Sequence, residues 1–350
     1  MKHAKHLTAW MLSFGVLLSC CLPFWGCTRP ALYTATYLDA FDTVLTVQAA
    51  SSSRAEAEAA ITDVHALVLD LHKQFDIYHD WSGVTGLKAV NDRAGDGEPV
   101  PVSEDVIALL KLGLTAYELS DGLVNVCLGP VLSLWHDART DGTYIPDTAS
   151  LEAAAAHTSP DVLEIDEAAG TVRLTDPLSS LDVGAIAKGY VTAKVRDLLS
   201  ERLDDGRLSG FLFDLGGNVL ALGTPPDEMA WAIGIRDPLT GGTLMTDYES
   251  DAGFVTSGAD QRTFTVDGVS YHHIIDPRTL LPCDGWLSVT VRVPAGYDEV
   301  FPDALILSDA LSTALFLMKR EEAEALVRKV GRGINVLWVL PDGSTERDYF

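Results

Sequence analysis

The sequence predicts an α+β fold. Apolar residues recur at helical spacing in a few long segments, and strand-like segments cluster between positions 208 and 293. The two kinds do not alternate in the steady rhythm of a doubly wound parallel sheet. With 350 residues, 47% of them hydrophobic, the chain can bury a sizeable core, which rules out wholesale disorder. The loop-like stretches 83–101 and 138–160 mark no boundary, so residues 27–350 are expected to form one large domain behind a removable leader.

Residues 36–48 alternate and are rich in Val, Leu, Thr and aromatics, the pattern of a strand. In residues 54–75, Ala57, Ile61, Val64, Val68 and Leu71 share one helical face. A second helix is expected over 103–120: the Ser103 hydroxyl suits an N-cap, and Glu104 and Asp105 suit the positive end of the helix dipole. Residues 184–199 read as a third helix. Strand-like segments follow at 208–222, 231–236, 253–267, 269–275 and 286–293, punctuated by the turn pairs Gly216-Gly217 and Asp267-Gly268. Residues 305–329 are helical with a break near Lys319, and 335–340 form a last strand.

The balance of 25 Lys+Arg against 50 Asp+Glu gives a net charge of −25, which argues against a nucleic-acid surface. A small anionic ligand is still compatible, because a few backbone N–H groups and a divalent metal can reverse the field locally.

The first 26 residues read as a secretory signal. Lys2 and Lys5 precede an apolar run from about Leu7 to Leu18 that is too short for a comfortable membrane span. The run ends in Leu22-Pro23-Phe24-Trp25-Gly26-Cys27, which resembles a bacterial lipoprotein processing site, so Cys27 is expected to carry the lipid. Cys20 is the rival position, and a plain secreted protein is the bland alternative. Two acyl chains would give a stable membrane hold where one would not, placing the protein in the periplasm, anchored to the inner membrane. Cleavage leaves 23 basic and 50 acidic residues, a net of −27. Beyond Cys27 only Cys127 and Cys283 remain, without zinc-like spacing, and both read as ordinary thiols.

Five stretches carry candidate chemistry. In Leu181-Asp182-Val183-Gly184-Ala185-Ile186-Ala187-Lys188-Gly189-Tyr190, Asp182 and Gly184 precede a helix whose free N–H groups favour an anion, and Lys188 adds a charge. A capping Asp and a surface Lys explain the same residues. Asp214-Leu215-Gly216-Gly217-Asn218 permits either a tight turn or close approach of a ligand, and it is no dinucleotide fingerprint opening a helix. Thr256-Ser257-Gly258-Ala259-Asp260 and Tyr271-His272-His273-Ile274-Ile275-Asp276-Pro277-Arg278-Thr279 flank a hairpin. On a strand the two histidines face opposite ways, leaving one to act as a general base or to make a structural hydrogen bond. Asp309 and Thr313, four residues apart, share a helical face as hard oxygen ligands suited to Mg²⁺, unless they are simply a helix-start Asp and a back-bonded Thr.

In series, these segments and Asp309-Ala310-Leu311-Ser312-Thr313-Ala314 resemble the ApbE-type FAD:protein FMN transferase family, its spirochaetal lipoprotein members in particular, from about Tyr37 to Leu317. The resemblance implies a T-fold-related α+β protein that binds FAD and Mg²⁺, cuts the pyrophosphate to release AMP, and transfers FMN to a Thr or Ser of a partner flavoprotein. Carried over, it implies metal ligation by Asp309, Thr313 and the Ala185 carbonyl, with Ala187 as the alternative carbonyl. It implies FAD contacts from Asp182, Lys188, Tyr78, the backbone around Ile274, and Leu123-Val124-Asn125. Phe41 stands in place of the Met of the family's early Met-Gly-Thr, and His273 would be the base. Asn125 replaces an Asp, Leu280 follows Arg278-Thr279 where Gly is usual, and the 83–91 stretch is longer than its counterpart. Transfer and simple hydrolysis to FMN and AMP, an activity of some treponemal-type members, therefore both remain open. The competing class is a non-catalytic flavin-binding lipoprotein. A solute-binding protein would need two alternating βαβ lobes that the pattern does not supply.

Overall fold

The computed structural model describes residues 29–226, 228–296, 304–331 and 333–349. The signal segment and Cys27 lie outside the described residues. Among the described residues, no helix is long and apolar enough to cross a membrane.

The chain enters through the hairpin β1 (Ala31–Ala40) and β2 (Thr43–Ser51). The single strand expected over 36–48 is thus two strands. Phe41 and Asp42 turn the chain with φ of 55° and 49°, a left-handed pair that matches the twist of a two-residue hairpin. No glycine announces this turn, so alternation alone ran through it. Helix α1 (Arg54–Phe75) follows, capped by the Ser53 side chain accepting from Glu56 N–H, and it buries its predicted stripe against β1 and β2.

The stretch 83–101, read as loop, contains α2 (Leu87–Asp92) and ends in β3 (Val100–Pro101). Helix α3 (Glu104–Leu119) begins at Ser103, whose hydroxyl accepts from Val106 N–H as expected. Helix α4 (Gly129–Asp141) stops at Gly142 in the left-handed conformation, and α5 (Thr148–Ala155) is capped by Asp147. These two helices occupy much of the second stretch read as loop. Strands β4 (Leu163–Asp166) and β5 (Thr171–Leu174) form a small sheet with β3.

Helix α6 (Ala187–Asp204) starts three residues later than expected and leads into β6 (Gly210–Leu215) and β7 (Asn218–Gly223), which turn at Gly216-Gly217. A ribbon of β8 (Trp231–Arg236) and β9 (Thr243–Glu249) precedes β10 (Ala252–Gly258). Strands β11 (Phe264–Val266) and β12 (Val269–Tyr271) pair across Asp267-Gly268. The expected strand over 269–275 is interrupted, because β13 (Ile275–Asp276) pairs separately with β14 (Leu281–Pro282), leaving His272 and His273 between strands. The chain closes with β15 (Ser288–Pro294), α7 (Ser308–Leu317), α8 (Arg320–Val330), β16 (Asn335–Val339) and β17 (Thr345–Tyr349). The break between α7 and α8 falls at Met318-Lys319, where it was expected.

One eight-stranded sheet, ordered β1-β2-β6-β7-β10-β15-β16-β17, organises the molecule, and all its pairings are antiparallel. This is the α+β arrangement the lack of alternation predicted. Helices α1, α6 and α7 pack on the sheet. Leu45, Val47 and Ala49, Phe211, Phe213 and Leu215, and Val289, Val291 and Val293 recur with period two and join the helical residues in one core. A second apolar cluster seats Trp231 and Ile233 of the ribbon on Ala50, Ala221, Ala252 and Phe254. The sheet is covered twice, and its end between the two covers is where the pocket opens.

Candidate active site

A cavity of about 590 Å³ lies where β2, β7 and β15 begin and β6 and β10 end. Of the site residues the sequence singled out within the described chain, Phe41, Tyr78, Leu123, Val124, Asn125, Asp182, Ala185, Lys188, His273, Ile274, Asp309 and Thr313 line it. Ala187 does not, being buried in the first turn of α6, so Ala185 is the better placed carbonyl.

Helices α6 and α7 set the polar floor. Gly189 lets them approach closely: a Cβ there would stand 2.9 Å from Asp309 Cβ and 3.1 Å from the Ile306 carbonyl. Asp309 is therefore buried, with Lys188 Nζ 3.4 Å from each carboxylate oxygen and Gly189 N–H donating at 3.3 Å. One turn on, the Thr313 hydroxyl lies 3.3 Å from Ser257 Oγ, which also bonds Ser312 Oγ at 2.9 Å. Asp182 is not the helix N-cap that the sequence allowed. That position is Ile186, and Asp182 instead accepts Gly184 N–H at 2.8 Å in a turn before the helix. Burial pushes the Asp182 carboxyl up, against the pull of Gly184 N–H and of the cations Arg262 and Arg139. Burial likewise raises Asp214, which accepts Gly217 N–H at 2.9 Å.

The two histidines divide their roles. His272 donates from Nε2 to the Cys283 carbonyl and accepts Ile274 N–H on Nδ1 at 3.2 Å, so both ring nitrogens are committed to the protein. Among the described residues His273 uses only Nδ1, which faces the Gln261 carbonyl at 3.2 Å. A neutral ring donating from Nδ1 keeps its basic lone pair on Nε2. Burial, helped by the nearby Arg262 charge, pushes His273 down to about 3, so it is neutral at pH 7. Ile274 spends both backbone groups inside the protein, N–H on His272 and carbonyl on Cys283 N–H. Asn125 is similarly employed: its amide donates to the Thr158 carbonyl at 2.9 Å and its oxygen accepts Cys127 N–H. An Asp, the residue usual in the family it resembles, could not make the first of these bonds.

Comparison with known proteins decides the family. The ApbE family model matches residues 41–338 of this chain. The chain belongs to the ApbE family. It is 35% identical over 306 residues to an FAD:protein FMN transferase of Treponema pallidum, covering 82% of this chain and 79% of that one. A Klebsiella pneumoniae protein of the same name is 34% identical over 252 residues, covering 70% and 75%. Among solved structures, the ApbE protein of Thermotoga maritima superposes with a TM-score of 0.77 at 28% identity, covering 91% of this chain and 97% of that chain. The flavinyl transferase ApbE of Pseudomonas stutzeri gives 0.72 at 26%, covering 91% and 95%.

Several lining residues escaped the sequence reading of this ApbE chain. Arg139 and His136 come from one face of α4, their nitrogens 3.1 Å apart, and Arg262 sits in the connection after β10 with a left-handed φ of 47°. Burial and the Arg262 charge together lower Arg139, as expected of two cations on one pocket. Isolated arginines in unremarkable sequence carry no spacing signal, and only folding brings them to one rim. With Lys188 they place three cations on a wall that also carries carboxylates, among them Asp42, Asp182, Asp214 and Asp309.

The oxygen donors Asp309, Thr313 and Ala185 suit a hard cation. Among the described residues no group of three or more His, Cys, Asp or Glu side chains could hold a metal. One carboxylate with neutral oxygens fits an ion whose remaining positions are filled by water and ligand phosphates, not one caged by protein alone.

Proposed function

We propose that this chain is an FAD:protein FMN transferase whose pocket holds FAD by its pyrophosphate and flavin. The observation that carries the reading is the convergence, in one cavity, of the buried Asp309 carboxylate, the Thr313 hydroxyl one turn on, the Lys188 ammonium and a neutral His273. Lys188, Arg139 and Arg262 supply the positive charge a pyrophosphate needs, and Phe41, Tyr78, Leu123 and Trp135 supply apolar and aromatic wall for the flavin. Asp309, Thr313 and the Ala185 carbonyl would hold Mg²⁺, which when bound neutralises charge developing on phosphate oxygens.

In the step proposed, an acceptor Thr or Ser hydroxyl attacks the FMN phosphorus. The new P–O bond forms as the pyrophosphate P–O bond breaks, AMP departs with the bridging oxygen, and the hydroxyl proton passes to His273 Nε2. Bound phosphate would raise the His273 pKa from its low free-protein value, improving it as a base. Water in place of the hydroxyl gives FMN and AMP. A non-catalytic flavin store is disfavoured, since storage needs neither a metal-type oxygen pair nor a neutral base.

The test is to incubate the protein with FAD and Mg²⁺, with and without a Thr-bearing flavoprotein acceptor, and to resolve AMP, free FMN and flavinylated acceptor. Flavinylated acceptor with stoichiometric AMP is expected. AMP with free FMN in both arms would make it a hydrolase, and no AMP in either would remove the enzyme reading. We also propose that Cys27 is lipidated and anchors the protein to the periplasmic face of the inner membrane. The Cys27→Ser protein should then appear in the soluble fraction, and retention on membranes with labelled acyl chains would refute this.

A further inference from the structure

We propose that Asp76 is a positioning residue for the flavin-facing wall: its carboxylate holds Tyr78 over the cavity and, through Trp81 and His72, ties Tyr78 to Phe41. The inference rests on the FAD reading above and assigns a task to residues which that reading leaves idle.

Asp76 ends α1, its backbone leaving the helix at ψ 124°. Its side chain is only 4% exposed, yet no Lys or Arg pairs with it among the described residues. Its oxygens instead collect four N–H contacts. Oδ1 accepts Tyr78 N–H at 2.7 Å and His79 N–H at 3.2 Å. Oδ2 accepts Trp81 Nε1–H at 3.0 Å and meets His79 Nδ1 at 2.9 Å. Burial pushes this carboxyl up, but the Tyr78, Trp81 and His79 bonds outweigh it and hold the group below its ordinary range. A buried carboxylate without a cation is costly unless every lone pair is used, and a helix end needs no such device. What it organises is the chain at the pocket wall.

Tyr78 needs that support. The residue is 51% exposed, and its ring stacks on His136 at 5.1 Å and 26°. On the other side, Trp81 meets His72 edge-on at 5.5 Å, and His72 Nδ1 accepts Phe41 N–H at 3.3 Å. The His72 ring also packs on Phe41 at 5.2 Å, bracing a residue held at left-handed φ. Phe41 and Tyr78, distant in sequence and both on the cavity, are thus joined through His72, Trp81 and Asp76. Two wall residues fixed relative to each other bind a rigid planar ring at lower ordering cost than two independent ones.

The experiment uses the full-length protein, FAD without added metal, and quenching of flavin fluorescence. Asp76→Asn keeps the shape but turns one acceptor into an N–H₂ donor facing donors. Trp81→Phe keeps an aromatic ring but removes the indole N–H together with the five-membered ring that carries it, and serves if the first variant folds poorly. Each should weaken FAD binding about tenfold and reduce the quenching at saturation. In a Tyr78→Ala background, Asp76→Asn should weaken binding no further, because it acts through Tyr78. Wild-type affinity and quenching in both single variants would overturn the proposal, as would losses that add fully to that of Tyr78→Ala. A wild-type protein that binds no FAD would overturn the FAD reading and this inference together, whereas the other two results overturn this inference alone.

Discussion

His272 and His273 show how far apart two adjacent, identical residues can be in role. The pair was legible in the sequence, and so was the argument that one of them could serve a ligand. Which one is decided by backbone: His272 is saturated by Cys283 and Ile274, while His273 keeps Nε2. The His273 pKa, pushed down to about 3 by burial and Arg262, gives two checks. Its ring resonances, followed by NMR in the ligand-free protein, should show no protonation between pH 8 and 5. Because the unfolded chain takes up that proton near pH 6.5 and the folded one only near 3, the group's contribution to stability is complete above 6.5 and is lost as pH falls toward 3. His273→Ala should therefore flatten the acid side of the stability profile and slow FMN transfer about 10²- to 10⁴-fold while leaving FAD affinity nearly intact. Lys188→Ala should weaken FAD binding roughly ten- to a hundred-fold by calorimetry, since a charge-assisted contact contributes about 1.5–3 kcal/mol. An unchanged dissociation constant would remove Lys188 from the site.

At the scale of elements, what carried a local signature was readable and what depended on distant partners was not. Ser103 caps α3, the stripe on α1 is buried, and the break after Met318 stands where helical periodicity faltered. The hairpin turn at Phe41-Asp42 was missed because neither residue is the Gly or Asn that usually marks left-handed backbone, and it is braced by His72 from another element. The strand over 269–275 breaks because the His272 side chain takes the Ile274 N–H that a ladder would have used. Helix α5, an alanine-rich segment behind the Asp147 cap, was passed over because it buries a single residue, Leu151, and so shows no apolar stripe. The close crossing of α6 and α7 yields a prediction of its own. Gly189→Ala should gain helix propensity, about 1 kcal/mol, yet its Cβ would press on Asp309 and on the Ile306 carbonyl. Net destabilisation in thermal melts, with a fall in AMP release exceeding that in FAD binding, is expected. A stabilised, fully active variant would show that the crossing does not set the Asp309 position.

For the whole molecule, the all-antiparallel sheet with helices on one side and a ribbon on the other brings residues from ten or so separate segments to one end, an assembly that no local pattern reveals. What made the site legible in advance was the order of several short motifs along the chain, each weak alone. The rim arginines lay outside those motifs and went unseen. A net charge of −25 repels itself, and screening by salt relieves that repulsion. Raising NaCl from about 0.01 to 0.15 M, over which the Debye length shrinks from about 30 to 8 Å, should therefore raise Tm, and a fall would mean that the surface ion pairs outweigh the net charge. The central claim is that Asp309 and Thr313 form the oxygen pair through which Mg²⁺ promotes cleavage of FAD. It is tested most directly by following AMP release from FAD across a Mg²⁺ titration with wild-type and Asp309→Ala proteins, both shown to be folded by circular dichroism. Loss of the only carboxylate in the proposed ligand set should cut Mg²⁺-dependent AMP release on the order of a thousand-fold while FAD still binds. A folded Asp309→Ala protein that turns over FAD at the wild-type rate with the same Mg²⁺ midpoint would contradict the account.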